Sequence, residues 1–175
     1  MKSILLTIVL LGVSGCASLS KSQCISGDWY GIGLADGTKG ASLSSLTRHR
    51  DACLEHGIKI NGDLYRQGRE QGLKTYCRPQ NGYLNGRKGY SYNNVCSDNL
   101  VRDYLRAYHY GNKIFKLEQE IAAMQKQLKI EEDLTLDETL SRKERNEHLD
   151  AFSTIKHDLE SAMRHLNHLI RNSPW

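Results

Sequence analysis

The sequence contains little proline, phenylalanine or tryptophan. Its 175 residues include only 2 Pro, 2 Phe and 2 Trp, and its 15 Gly follow no three-residue period. This composition excludes a proline-rich disordered chain and a collagen-like chain. The length suffices for one compact domain with an appendage, and it excludes a large two-domain enzyme.

Motifs that mark common catalytic and metal sites are also missing. The chain has no Gly-x-Ser-x-Gly, phosphate loop, dinucleotide fingerprint or His-Glu-x-x-His. His165 and His168 could share a helix face, but no carboxylate or Cys is placed to complete a metal site. A free Cys53 beside His49 or His56 could be nucleophilic, which an oxidised Cys53 could not be. We therefore expect no catalytic residue, no metal and no cofactor.

Long apolar runs are absent except at the start of the chain. Lys2 precedes an apolar run over residues 4–13, which is about half of the ~20 residues that span a bilayer as a helix. Such a run predicts a signal peptide over residues 1–15 rather than a transmembrane anchor. An ordinary secretory signal cleaved near Ala17 is one interpretation of this segment.

The junction after this run, Val13-Ser14-Gly15-Cys16, resembles the lipobox of bacterial lipoproteins. The resemblance implies that the thiol of Cys16 carries a diacylglycerol, that the signal is cut before it, and that the new amine is acylated. Several acyl chains on one residue anchor a protein stably. It also implies, since Ala17 replaces the Asp that retains lipoproteins at the inner membrane, an outer-membrane protein facing the periplasm.

The remaining cysteines are even in number, which is typical of disulfides in an exported chain. They are Cys24, Cys53, Cys77 and Cys96. Three pairings are possible, and we favour 24 with 53 and 77 with 96, because each closes a loop of moderate length worth on the order of 3 kcal/mol. A zinc site is the alternative, but it lacks the Cys-x-x-Cys pairs that such sites use.

Cysteine and glycine nearly vanish from the second half of the chain. Residues 101–175 contain no Cys and only one Gly, Gly111. This shift predicts a lipid-anchored linker over residues 16–23, a small Cys-rich helical domain over 24–100, and a helical hairpin or coiled coil over 101–175.

A spacing of one aromatic and two small residues, Tyr-x-x-Gly-x-x-x-Gly, recurs in the chain. Its copies are Tyr30/Gly33/Gly37, Tyr65/Gly68/Gly72 and, with Ala for the first Gly, Tyr104/Ala107/Gly111. Steps of three and four residues place these side chains on one helix face. Glycine costs a helix about 0.5–1 kcal/mol relative to Ala, so close packing is expected to compensate. A ligand groove lined by Tyr is the alternative.

Capping residues predict short helices in the first domain and a loop after them. Asp28 can cap a helix to residue 38, Ser42 or Ser44 one to residue 56, and Asn61 or Asp63 one to residue 76. Residues 78–94 contain two Asn-Gly dipeptides and a Pro, which predict a Gly/Tyr-rich loop.

Basic and aromatic side chains both occur in this predicted loop. The candidate ligand-contact residues are Tyr83, Arg87, Tyr90 and Tyr92. In composition they are similar to a nucleic-acid patch, but an exported lipoprotein rarely meets nucleic acid, so no such partner is expected. The open interpretations are solvated loop charges and contact with cell-wall polymer or anionic lipid.

The first half of the chain also resembles a family of bacterial lipoproteins that share a domain of unknown function. The resemblance covers about residues 16–115 and is carried by Gly27-Asp28-Trp29-Tyr30, Asp36-Gly37, His56-Gly57, Tyr65-x-x-Gly68-x-x-x-Gly72, Tyr76-Cys77 and Tyr92 to Cys96. It implies a location and a domain identity, and members often continue into a helical tail.

Two apolar seams predict an antiparallel helical hairpin in the second half. The first comprises Ile114, Leu117, Ile121, Met124 and Leu128, and the second Phe152, Ile155, Leu159, Met163, Leu166 and Ile170. Residues 133–141 break the register between them, and Ser141 with Glu144 matches a capping box. A longer intermolecular coiled coil is the alternative.

Together these patterns predict a mainly α, lipid-anchored envelope protein that is not an enzyme. Its expected role is structural or in protein interaction, with the membrane contacted through the Cys16 lipid and an envelope partner or a second copy contacted through the C-terminal helices. The alternative is a binding module for cell-wall glycan or another envelope ligand.

Overall fold

The computed structural model describes residues 18–175; the predicted signal peptide, the predicted lipidation site Cys16 and Ala17 lie outside the described residues. All regular structure in residues 18–175 is helical, which confirms the predicted mainly α fold. The helices in chain order are α1 (Lys21–Ser26), α2 (Trp29–Thr38), α3 (Ser44–Leu54), α4 (Gly62–Tyr76), α5 (Pro79–Arg87), α6 (Asp98–Thr135) and α7 (Arg142–Arg171).

Three helix starts follow the predicted capping chemistry. The cap predicted at Ser42 or Ser44 is wrong, since α3 has Leu43 at its N-cap and no side-chain hydrogen bond there. The Asp28 carboxylate accepts a hydrogen bond from the N–H of Gly31 at 2.9 Å and so begins α2. Asn61 accepts two backbone N–H groups of the first turn of α4. Ser141 and Glu144 form the predicted capping box of α7. These caps satisfy N–H groups that have no partner inside their own helix.

α2 and α4 lie side by side with their backbones in contact. A Cβ atom added to Gly33 would overlap the backbone of Tyr65, and one added to Gly37 would overlap the backbone of Arg69. Because the contact position advances along both helices together, α2 and α4 are parallel. Gly68 and Gly72 of α4 face the backbone of α2 in the same way. The close packing predicted from the glycine spacing is therefore confirmed.

α5 and α6 form a second pair of this kind, and α5 lies where a loop was predicted. The prediction of a loop over 78–94 is wrong for residues 79–87, which are helical. Pro79 suits the first turn of a helix, where its missing N–H has no intrahelical acceptor. Gly82 and Gly86 lie against the backbone of α6 at Tyr104 and Tyr108. Asn-Gly dipeptides suit a turn equally well, and only the packing against α6 selects the helix.

The two helix pairs repeat one arrangement. Residues 33–40 (Gly-Leu-Ala-Asp-Gly-Thr-Lys-Gly) correspond to residues 82–89 (Gly-Tyr-Leu-Asn-Gly-Arg-Lys-Gly). The last glycine of each has a φ of +68°, and a Cβ there would overlap the ring of Tyr76 in the first pair and of Phe115 in the second. The repeating unit is thus a pair of parallel helices, whereas the sequence spacing indicated a repeat of single helices.

The two disulfides join Cys24 to Cys53 and Cys77 to Cys96, which confirms the favoured pairing. The first links α1 to α3, which is the extra helix between the members of the first pair. The second links the end of α4 to the segment before α6. The bonded cysteines are 29 and 19 residues apart in the chain, and each bridge joins the segment before the first helix of a pair to the connection that leads to the second helix.

α6 and α7 form an antiparallel hairpin within one chain, as predicted. The Tyr110 hydroxyl donates to the carbonyl oxygen of Leu169 at 2.8 Å near its base. Glu131 contacts His148 at 2.7 Å near the connection between the helices. From the first contact to the second, the position advances along α6 from 110 to 131 and moves back along α7 from 169 to 148, as antiparallel helices require.

The seam of the hairpin differs from the predicted one at two positions. Every predicted seam residue of α6 is buried or half-buried. In α7, however, Met163 and Ile170 are exposed, and Ala162 and Leu169 take their places. The steps of three and four residues continue through these positions. The sequence prediction was wrong here because either member of the adjacent apolar pairs Ala162–Met163 and Leu169–Ile170 fits steps of three and four residues.

α6 is continuous across the boundary that the composition indicated near residue 100. Its first five turns pack against α5, and it contacts α7 from Tyr110 onward. The domain therefore extends to about Phe115, and its last helix, α6, continues into the hairpin without a linker.

Candidate functional site

The four candidate ligand-contact residues do not form one open surface. Tyr83 of α5 lies with its ring 6.4 Å from that of Tyr110 on α6, and Arg87 forms an ion pair with Glu118 at 2.8 Å. Tyr90 is 58% exposed, and the ammonium of Lys88 lies 5.8 Å from its ring centre.

Tyr92, the fourth candidate, belongs to an aromatic core. Its hydroxyl accepts a hydrogen bond from the N–H of Cys96 at 2.9 Å, and its ring lies 5.0 Å from that of Tyr104. The rings of Tyr76 and Tyr104 stack at 5.3 Å in the same cluster. Tyrosines in this region therefore join the two helix pairs, and Tyr90 is the member left at the surface.

A chain of hydrogen bonds joins the first described residue to the core of the first helix pair. The hydroxyl of Ser18 lies 3.0 Å from Nδ1 of His49, and Nε2 of His49 lies 2.9 Å from the carboxylate of Asp36. The hydroxyl of Tyr65 donates to the same carboxylate oxygen at 2.6 Å. Burial, and the carboxylate beside it, raise the pKa of Tyr65. This tyrosine therefore stays a neutral hydrogen-bond donor.

The residues after Ser18 are also packed on the domain. Leu19 is buried in a cluster with Cys24, Trp29 and Tyr65. α1 then begins at Lys21 with a capping box. Most of the segment predicted as a linker is thus part of the folded domain.

Beside this hydrogen-bond chain lies an open depression of about 380 Å³. Its walls include Asp28, Gly31, Lys39 and His49. Both nitrogens of His49 already have partners, and Asp36 accepts two hydrogen bonds. The polar groups therefore bond to one another, and their evident effect is to hold the start of the described chain against α2 and α3.

The second helix pair has a related but uncharged network. The hydroxyl of Tyr104 accepts a hydrogen bond from the amide of Asn85 at 3.0 Å and donates to Tyr76 at 2.9 Å. Asn85 stands where the first pair has Asp36. Burial and the hydrogen bond with Tyr76 raise the pKa of Tyr104.

Other titratable residues singled out from the sequence are dispersed. His165 and His168 are both exposed on α7, and His168 lies beside Asn172. Cys53 is in a disulfide and does not carry a thiol. No group of three or more possible metal ligands occurs among residues 18–175. No helix in this range is long and apolar enough to cross a membrane.

The network at His49 was missed by sequence reasoning, although its residues carry a signal. Asp36 precedes Gly37, which is the second glycine of the Tyr-x-x-Gly-x-x-x-Gly spacing, and a carboxylate on that face must meet a donor when the helices touch. The donors are Tyr65 and His49. Tyr65 belongs to the repeated spacing, whereas the position of His49 depends on how α3 packs against α2.

The fold and these contacts define a class of protein: a small, disulfide-linked domain of parallel helix pairs that continues into a helical hairpin. Residues 28–113 match the family model described as a protein of unknown function, DUF2799, so this part of the chain is a DUF2799 domain. That match begins at the cap of α2 and ends within α6, and so includes both helix pairs. No curated protein and no solved structure is significantly similar to the chain.

Proposed function

We propose that the chain is a lipid-anchored protein of the bacterial cell envelope with a structural or protein-interaction role. The lipobox-like junction before Cys16 supports the anchor, and the two disulfides suit an oxidising compartment. Ala17 favours attachment of the protein to the outer membrane, where it would face the periplasm.

The observation that carries the structural role is the continuous set of contacts from Ser18 to the hairpin. Two peptide units separate Cys16 from Ser18, so their Cα atoms are at most about 7.6 Å apart. Ser18 is bound to His49, and the domain behind it is cross-linked twice. α6, with 38 residues, then extends about 57 Å without interruption. A lipid at Cys16 would hold the domain against the membrane and present the hairpin in a restricted orientation.

Metabolic labelling with a fatty acid tests the anchor. The full chain should incorporate the label, and Cys16→Ser should accumulate as an unlabelled precursor. A double variant, Cys24→Ser with Cys53→Ser, is the matched control because it removes two other cysteines and should keep the label. Normal labelling of Cys16→Ser would refute the assignment.

The interaction role is tested by photo-crosslinking in intact cells. A photoreactive residue at exposed positions of α7 should give discrete adducts, whereas one at Ile25 on α1 should give few. A uniform, low yield from both helices would argue against the hairpin as the contact surface.

The second candidate function is binding of cell-wall glycan, and Tyr90 is the residue that favours it. Its exposed ring with an adjacent Lys88 is a surface on which a sugar can stack. Purified sacculi should then sediment the wild-type protein and leave Tyr90→Ala in the supernatant. Tyr30→Ala, which removes an exposed ring from α2, is the control.

A further inference from the structure

α7 has an apolar face that is wider than the surface α6 covers. Its seam residues toward α6 advance by steps of four and three from Phe152 to Leu169. Next to this seam runs a stripe made of Leu149, Met163 and Ile170, which are 47%, 44% and 46% exposed. These three positions differ by 14 and 7 residues, so they lie on one line along the helix. A helix with such a broad apolar face commonly packs against more than one neighbour.

The two edges of the hairpin differ in polarity. One edge is polar, with Lys113 and Glu120 of α6 beside His165 of α7 around a shallow depression. The other edge carries the apolar stripe. The stripe edge alone thus offers a surface for a further helix.

The stripe edge also contains an unfilled hollow near the tip of the hairpin. It has a volume of about 140 Å³ and is lined by Glu132, Thr135, Leu136, Leu149 and Phe152. Leu136 is 74% exposed beside it. A hollow of this size beside Leu149 can accept an aliphatic side chain from a neighbouring helix.

We propose that a second copy of this chain covers the stripe, with the two α7 helices antiparallel. The stripe complements itself in this orientation: Leu149 of each copy meets Ile170 of the other, and Met163 meets Lys156. Each Ile170 then fills the 140 Å³ hollow beside the facing Leu149. Two hairpins joined in this way form a four-helix bundle.

Charge selects the antiparallel orientation over the parallel one. Lys156 occupies the stripe position between Leu149 and Met163. Parallel helices would place the two copies of Lys156 against each other, and like charges in contact are destabilising. Antiparallel helices place Lys156 near Glu160 of the other copy, since both residues lie close to the midpoint of the stripe.

This inference deepens the interaction role proposed above, and its test is separable from the lipid anchor. The full chain is solubilised in detergent and its mass measured by sedimentation, both as wild type and as Cys16→Ser. A dimer in both samples supports the proposal whatever the labelling result, and a monomer in both overturns it.

Two matched variants show whether the stripe is the interface. Ile170→Glu should weaken dimerisation at least about tenfold, because it places a carboxylate opposite the apolar side chain of Leu149 in the other copy. Ile130→Glu changes an equally exposed side chain on another face of the hairpin and should leave the dimer intact. Equal effects of the two would contradict the assignment.

A charge exchange tests the orientation. Lys156→Glu and Glu160→Lys should each weaken the dimer, because each variant gives residues 156 and 160 of both copies the same charge near the two-fold axis. The double variant should restore dimerisation to within a few-fold of wild type, and failure of this rescue would contradict the antiparallel arrangement. A photoreactive residue at position 163 should give an adduct of twice the chain mass; an adduct with a different protein would overturn the proposal.

Discussion

Tyr104 donates a buried hydrogen bond to Tyr76 at 2.9 Å, and this bond crosses from the second helix pair to the first. The rings of the two residues also stack, with centres 5.3 Å apart. The contact lies beside the Cys77–Cys96 disulfide. The junction between the two pairs is therefore held by one covalent bond and one aromatic, hydrogen-bonded contact.

Removing the Tyr104 hydroxyl should weaken this junction. In Tyr104→Phe, the hydroxyl of Tyr76 loses its donor and the amide of Asn85 loses its acceptor in a buried site. We expect the free energy of unfolding to fall by about 1–3 kcal/mol, measured by urea denaturation. Tyr30→Phe changes an exposed tyrosine and should have little effect; a similar loss in both variants would contradict the role given to Tyr104.

Glycine at the crossing of α2 and α4 should not tolerate a methyl group. A Cβ on Gly68 would overlap the carbonyl oxygen of Tyr30, and neither backbone can move without separating the helices. Gly68→Ala should therefore cost about 1–3 kcal/mol of stability despite the better helix propensity of Ala.

Gly62→Ala is the matched control for this substitution. Gly62 is in the same helix, and a Cβ there would meet only the flexible side chain of Arg66, at 3.3 Å. Thermal denaturation should show Gly62→Ala close to wild type. If Gly68→Ala were equally stable, the parallel backbone contact would be refuted.

The two disulfides should contribute comparable stability. Replacing both cysteines of either bridge by serine should cost about 3–4 kcal/mol in the chain-entropy account, with the larger loss for the 29-residue loop of Cys24–Cys53. Guanidinium denaturation of the two double variants, each with and without reductant, measures this. Each double variant keeps one disulfide. If reductant does not destabilise a variant further, the disulfide that it should keep is not formed.

The tip of the hairpin should be sensitive to acid. Hydrogen bonds from His148 and Gln127 hold the pKa of Glu131 below its ordinary value of 4.5. The folded state therefore binds the proton less readily than the unfolded state, so the stabilisation is present above the ordinary pKa and lost as pH falls through the folded one. Unfolding free energy should decrease between pH 5 and about pH 3.

Glu131→Gln should flatten this acid dependence, whereas Glu138→Gln, an exposed change in the adjoining connection, should leave it unchanged. Denaturant titrations at several pH values make the comparison. An unchanged acid slope in Glu131→Gln would assign the sensitivity to other carboxylates.

Local chemistry in the sequence predicted much of this molecule. Asp28, Asn61 and the Ser141–Glu144 box begin helices where expected, because a capping side chain bonds to N–H groups within its own first turn. The disulfide pairing followed from loop length. The exposure of the candidate ligand-contact residues could not be predicted in this way, because it depends on neighbours distant in the chain.

The amino-acid sequence by itself determined the helical class, the caps of α2, α4 and α7, the cysteine pairing and the hairpin, because each depends on residue type and spacing along the chain. Only the tertiary structure decided that residues 79–87 are a helix, that the glycines form two parallel pairs, and that Ala162 and Leu169 face α6 in place of Met163 and Ile170. The physical reason is the same in each case. An Asn-Gly dipeptide or a pair of adjacent apolar residues permits two local arrangements of similar energy, and the surface packed against it selects one.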